Sequence, residues 1–204
     1  KQSKNFDVLV VGAGHAGIEA AVMASRIGAK TGIITFKKED VGTLSCNPAM
    51  GGLGKGHLIK EIDALGGVIG IASDLSGIQF RVLNRTRGEA VQGPRAQIDR
   101  IKYKENILNL IKKERISLLY DEVTDIIIKK KGVNKQVDGL KLNNLGKVHC
   151  KSIIITTGTF LRGIIHQGED SWPSGRMGSE PSNKLANFFK KNKFKLLRLK
   201  TGTP

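Results

Sequence analysis

Two stretches of this 204-residue chain carry residue types and spacings that can do chemistry. The first is Gly12-Ala13-Gly14-His15-Ala16-Gly17, a GxGxxG turn between a β-branched apolar run (FDVLVV, 6–11) and an alanine-rich segment of helical character. In such a turn Gly12 permits the tight bend and Gly14 lets backbone approach a pyrophosphate. Gly17 lets helix and strand pack closely. The helix amino end then offers unpartnered N–H groups to phosphate charge. The competing reading is a glycine turn that serves packing alone. The acidic residue that usually holds a ribose, about 20 residues beyond the turn, is missing: Phe36, Lys37 and Lys38 stand there, and Glu39 and Asp40 come late. The ribose contact is therefore open.

The second stretch runs over 42–57 (GTLSCNPAMGGLGKGH). It is not a phosphate-binding P-loop, which needs glycine where Ala49 stands and Ser or Thr where Gly56 stands. Its glycines suit backbone passing close to a flat ligand. Cys46 lies within it and can act as a nucleophile if helix N–H groups or cations, with Lys55 and His57 as candidates, stabilise its thiolate. The alternative is a small packing cysteine. The other cysteine, Cys150, is too far along the chain for a CxxC pair, and the four histidines lack metal-ligand spacing, so neither a disulfide framework nor a metal site is expected.

The elements that must position these residues begin with a βαβ unit: a strand over 6–11, a helix over 15–28 and a strand over 31–36, with the two strands parallel. A short helix over 57–65 ends at Gly66-Gly67. Residues 77–100 are mixed and arginine-rich, and 97–114 forms an amphipathic helix. A strand over 116–120 precedes a meander of strands over 123–130, 137–142 and 147–150. A separate buried strand over 152–156 follows, then a helix over 181–192 and a strand over 194–199. A βαβ unit followed by a meander and a strand ending in Thr-Gly-Thr favours two-dinucleotide-fold flavoproteins, hence FAD, over dehydrogenases with regular βα repeats. The fold class is α/β: a Rossmann-like FAD-binding domain with a β-meander insertion.

The net charge of +16, from 34 basic and 18 acidic residues, fits a polyanionic partner, nucleic acid first. Lysine enrichment without function is the bland alternative. Arg81, Arg85, Arg87, Arg95 and Arg100 form one cluster, interleaved with Gly88, Gly93 and Pro94 as in a shaped loop near a ligand. Lys190, Lys191, Lys193, Lys195, Arg198 and Lys200 form another, which reads equally as a solvated face. No run of about 20 apolar residues is present, no signal peptide is recognisable, and a cytoplasmic location is expected.

The loop SCNPAMGGLGKGHL, with KEIDALGG, GIQFRVLN, RAQIDR at 95–100, TTGTFLRG at 156–163, GRMGSEPS at 175–182 and RLKTGTP at 198–204, resembles the GidA/MnmG family along nearly the whole chain. Members of that family are about three times longer, so the resemblance implies that residues 1–204 are the amino-terminal part of an FAD-binding domain. The remainder of that domain, a second nucleotide domain and a helical region would lie beyond. It implies modification of the wobble uridine of tRNA to its 5-carboxymethylaminomethyl (or aminomethyl) form. FAD, NADH and methylene-tetrahydrofolate would be used, in a homodimer working with the GTPase MnmE. FAD contacts are implied for Gly12, Ala13, Gly14, His15, Ala16, Gly17, Val123 and Ser182, and a functional role for Cys46. The missing acidic residue after the second strand is also a habit of the family. Two other enzymes compare less well: a disulfide reductase lacks its cysteine pair here, and the folate-dependent tRNA methyltransferase flavoprotein fits the SCNPAMGGLGKGH loop poorly. An inactive FAD-binding module is the non-enzymatic alternative.

Overall fold

The computed structural model describes residues 5–44, 47–200 and 202. Its first three elements are the expected unit: β1 (Asn5–Val11), α1 (His15–Arg26) and β2 (Thr31–Thr35). The two strands are parallel, with Val10 opposite Ile33. Period-two alternation sends Val10 to one face of the sheet and Leu9 and Val11 to the other. Val10 joins a core with Ile18, Ala21 and Val22 of α1 and with Tyr103, Ile107 and Ile111 of α4 (Arg100–Lys113). Leu9 and Val11 join a second core with Ile34, Leu119, Leu140 and Leu185.

The main sheet adds β6 (Ser117–Tyr120), β7 (Val123–Lys131), β8 (Asn134–Leu142) and β9 (Gly146–Ile155). Its order is β6-β2-β1-β9-β8-β7. The first four strands are mutually parallel, and β8 and β7 continue the sheet antiparallel. This is the α/β fold expected, with a correction within this sheet. The strands expected separately over 147–150 and 152–156 are a single ten-residue strand, β9. No glycine or proline interrupts 150–152. The same strand closes the meander against β8 and lies along β1, from Asn5 opposite His149 to Val11 opposite Ile155.

The arginine-rich stretch is a small antiparallel sheet of order β3-β5-β4, made by β3 (Ala49–Gly51), β4 (Gly77–Leu83) and β5 (Gly93–Ile98). Against it lie α2 (Lys55–Ala64) and α3 (Ile69–Asp74). The sequence leaves α3 unassigned, and it places the start of α4 too early. Gln97 and Ile98 belong to β5, because Asp99 caps the helix by accepting from the N–H groups of Ile101 (2.9 Å) and Lys102 (3.1 Å). The carboxy-terminal region adds the hairpin β10 (Ile164–Gln167) and β11 (Asp170–Pro173), also unassigned from sequence, and α5 (Asn183–Lys191). The strand expected over 194–199 does not form. A strand needs a neighbour for its N–H and C=O groups; 194–199 pairs with none among the described residues, and Leu197 and Leu199 are exposed.

Candidate dinucleotide site

From β1 the chain crosses to β2 on one side and later returns to β9 on the other. That reversal is a topological switch point, where the carboxyl ends of strands in open α/β sheets leave a crevice for ligands. A cleft of about 410 Å³ opens there. Gly12, Ala13, Gly14 and His15 line it from the end of β1, Thr35 and Phe36 from β2, and 156–160 from the end of β9.

The glycines of the turn divide their work between fold and ligand. Gly12 has φ +110°, and a Cβ on it would lie 2.4 Å from the carbonyl oxygen of Thr156. A Cβ on Gly17 would lie 1.9 Å from the carbonyl oxygen of Gly12. Thr156 fastens the crossing by donating its backbone N–H and its hydroxyl to the carbonyl of Val11, both at 2.9 Å. Gly14 differs: a Cβ there would meet nothing within 4 Å, so its open side belongs to the cleft. It also contributes no side chain to cap α1, so the first-turn N–H groups, which have no intrahelical partners in any α-helix, receive no side-chain cap. Among the expected contacts, Gly12, Ala13, Gly14, His15, Val123 and Ser182 line the cleft. Ala16 and Gly17 are not among its lining residues; Gly17 is buried behind the turn.

Val123 opens β7 and is held by a neighbour the sequence did not single out. Asp121, 5% exposed, accepts from the backbone N–H groups of Glu122 (2.8 Å), Asn144 (2.8 Å) and Leu145 (2.7 Å) and from the Asn144 amide (3.0 Å). This ties the β8–β9 turn to the end of β6 beside the cleft. Ser182 precedes α5 and donates its backbone N–H to the carbonyl of Phe160 at 2.8 Å.

At the end of β2 the late acidic residue reaches the cleft. The chain makes a short 3-10 turn over Lys38–Asp40, and Asp40 pairs there with Arg176 while accepting the N–H of Lys37 at 3.1 Å. The Arg176 guanidinium lies 5.8 Å from the centre of the Phe160 ring, which is itself 5.8 Å from that of Phe36. Arg176 and Phe160 were not singled out as site residues. Each lies in a motif, GRMGSEPS or TTGTFLRG, that carries the family resemblance.

His15 lies on the inner side of the cleft, with Nδ1 3.5 Å from the hydroxyl of the fully buried Tyr103. Burial, and then the charge of Lys55, push its pKa down from 6.5 to about 4; burial also raises that of Tyr103. The unfolded chain thus takes up a proton on His15 near pH 6.5 that the folded chain refuses until about pH 4. This group favours folding above pH 6.5 and opposes it increasingly as pH falls to 4, by roughly 3 kcal/mol at the limit. The H15Q variant should lose less stability than the parent between pH 7 and pH 4, read from urea midpoints; equal losses would show that His15 titrates normally.

Cys46 lies outside the described residues. Leu44 and Asn47, which flank its position in sequence, both line the cleft, as does Lys55, whose Nζ donates to the carbonyl of Ala49 at 3.1 Å. Cys150 is a core residue of β9, and burial raises its thiol pKa to about 11. Among the described residues, no three His, Cys, Asp or Glu side chains are grouped to hold a metal ion, and no helix is long and apolar enough to cross a membrane.

The family model of glucose inhibited division protein A matches residues 7–204. The chain belongs to that family. It is 46% identical over 200 residues to the tRNA uridine 5-carboxymethylaminomethyl modification enzyme MnmG of Sulfurihydrogenibium sp. (strain YO3AOP1), and equally so to that of Aquifex aeolicus (strain VF5). In each case the match covers 98% of this chain and 32% of the relative, so the chain spans about a third of their length. A crystal structure of Aquifex aeolicus GidA superposes with a TM-score of 0.91 at 44% identity, covering all of this chain and 33% of that one. The GidA-related protein from Thermus thermophilus, 16% identical with a TM-score of 0.64, shares the fold over 92% of this chain and 68% of its own.

Proposed function

We propose that this chain supplies the FAD site of an enzyme that modifies the wobble uridine of tRNA. The observation that carries the reading is the Gly14 turn at the amino end of α1, open on the switch-point cleft in a chain of the GidA family. The tRNA uridine modification carried out by its MnmG relatives supplies the substrate class. The residues suit a dinucleotide: helix N–H groups for the pyrophosphate, a carboxylate at the end of β2 for a ribose hydroxyl, and an apolar wall of Ile34, Phe36 and Val123. Residues 1–204 are the amino-terminal part of the FAD-binding domain, with the second nucleotide domain and helical region in the rest of the protein.

When bound, FAD supplies hydride equivalents and carries the one-carbon unit. This chain's own residues bind and orient it. The first turn of α1 takes the pyrophosphate, neutral His15 adds no charge behind it at neutral pH, and Asp40, fixed by Arg176, accepts the ribose. Cys46, next in sequence to cleft residues, serves the uridine as nucleophile at C6 or as proton donor. In the whole protein the reaction draws on NADH and methylene-tetrahydrofolate, in a cytoplasmic homodimer partnered by the GTPase MnmE.

The test begins with the visible absorption spectrum of the purified chain, the identity of any released cofactor and titration with FAD. FAD should bind and raise the melting temperature, and D40N should weaken its binding roughly ten- to a hundred-fold, as expected for a hydrogen bond to a charged acceptor. A folded chain that neither binds FAD nor gains thermal stability from it would leave the inactive-module reading in its place.

A further inference from the structure

A second groove, of about 670 Å³, lies on the β3-β5-β4 sheet and shares no lining residue with the switch-point cleft. Its register is unusual. Arg81 on β4 stands directly opposite Arg95 on β5, and on the other side of Arg95 the partner is Gly51 of β3, which has no side chain. Directly opposed residues of an antiparallel pair share a face, with Cβ atoms about 5 Å apart, and like charges so placed repel. Lys60 of α2 and Arg85 also line the groove; the single acidic residue among its lining is Asp74. Among the described residues, none of these four cationic side chains forms an ion pair or donates a hydrogen bond; Arg85 only accepts one, from Gln92 at its backbone carbonyl. Arg87, expected beside Arg85, is not among the lining residues.

We infer that this groove is a phosphate-binding site in which Arg81 and Arg95 together grip the phosphodiester backbone of the tRNA substrate, flanked by Lys60 and Arg85. The inference rests on the tRNA reading above and gives it a location. An opposed arginine pair carries a standing repulsion in the free protein, and an anion between the two guanidinium groups removes it. Arginine's fork of donors matches phosphate oxygens two at a time. Backbone contacts of this kind fix register and orientation without reading sequence, as suits a groove with a lining of its own beside the cofactor cleft.

The experiment is tRNA binding by fluorescence anisotropy over a salt series, with the full 204-residue chain, its R81Q/R95Q variant and a K135Q/K147Q control. The control removes the same charge from exposed positions on β8 and β9. Every phosphate that is no longer gripped lowers the slope of log affinity against log salt by about one. The groove variant should therefore show a slope lower by about one to two and binding at least roughly tenfold weaker at low salt, with the control near the parent. R81Q alone should melt higher than the parent, which separates loss of the site from loss of the fold. A groove variant indistinguishable from the control, or a parent chain that does not bind tRNA, overturns the inference. FAD titration of the same samples keeps the two readings apart: groove-dependent tRNA binding without FAD binding defeats the cofactor reading alone, and FAD binding with a slope untouched by R81Q/R95Q defeats the groove alone.

Discussion

Alanine at position 17 is expected to destabilise the fold itself rather than merely empty its cofactor site. The added methyl would sit 1.9 Å from the Gly12 carbonyl oxygen and 2.7 Å from the Thr156 hydroxyl. The first of these is backbone in the turn itself and cannot swing aside. Relief would require α1 to move off β1, where it contributes Ile18, Ala21 and Val22 to the core. The cost should be about 3 kcal/mol or more, the upper range for overpacking, set against a typical total of about 5–15 kcal/mol. G14A provides the contrast. Position 14 has φ −78° and open space around the missing Cβ, so G14A should keep its urea midpoint close to the parent's while losing FAD affinity. Circular dichroism with urea, paired with FAD titration, separates the two variants. A G17A protein as stable as the parent would mean that the turn yields more readily than its close contacts imply.

E19A should be almost as damaging, for an electrostatic reason. Glu19 lies on the buried side of α1, 7% exposed. Its carboxylate accepts the N–H of Val68 at 2.9 and 3.1 Å and that of Ile69 at 2.7 Å. These are the N–H groups at the amino end of α3, where negative charge is favoured. Alanine would strand both donors and leave a cavity, at an expected cost of about 3–5 kcal/mol. E19Q retains one acceptor oxygen and should recover part of that loss. Hydrogen exchange at Val68 and Ile69 gives the local reading: protection should fall most in E19A. Unchanged exchange at both amides would show that Glu19 does not hold α3.

How much of this was legible in the sequence depends on the range of the interaction that decides each feature. The βαβ unit with its glycine turn is governed by neighbours within about 30 residues and reads directly from apolar runs and glycine spacing. The late carboxylate could be flagged, but not that Asp40 returns to the cleft, because its partner Arg176 lies 136 positions away. Glu19 was missed, although a charge on the apolar stripe of α1, between Ile18 and Ala21, needs a partner. The fusion of two expected strands into β9, and the absence of one over 194–199, turn on which neighbours a strand finds, and local propensity does not specify that. Arg81 and Arg95 were visible as members of an arginine cluster; their opposition across two strands is a matter of register. Val123 and Ser182 came from family resemblance alone, and their own residue types gave no indication of the cleft they line.

The double duty of β9 also sets an order of assembly. The cofactor turn is encoded by residues 12–17, yet the strand on one side of β1 arrives only when Ile155 has been made, and the contact of Thr156 with Gly12 spans 144 positions. At ribosomal rates of about 5–20 residues per second, that interval is roughly 7–30 s. Throughout it β1 and β2 can pair with each other, but the far edge of β1, rich in valine, presents unpaired N–H and C=O groups to any other nascent chain. The meander β7-β8-β9 is local and can form as it emerges. Its closing strand then docks on β1 as a preformed unit and seals the exposed edge, while the cleft still awaits Phe160, Arg176 and Ser182. Burial of the exposed edge would therefore come before the pocket is able to take a ligand.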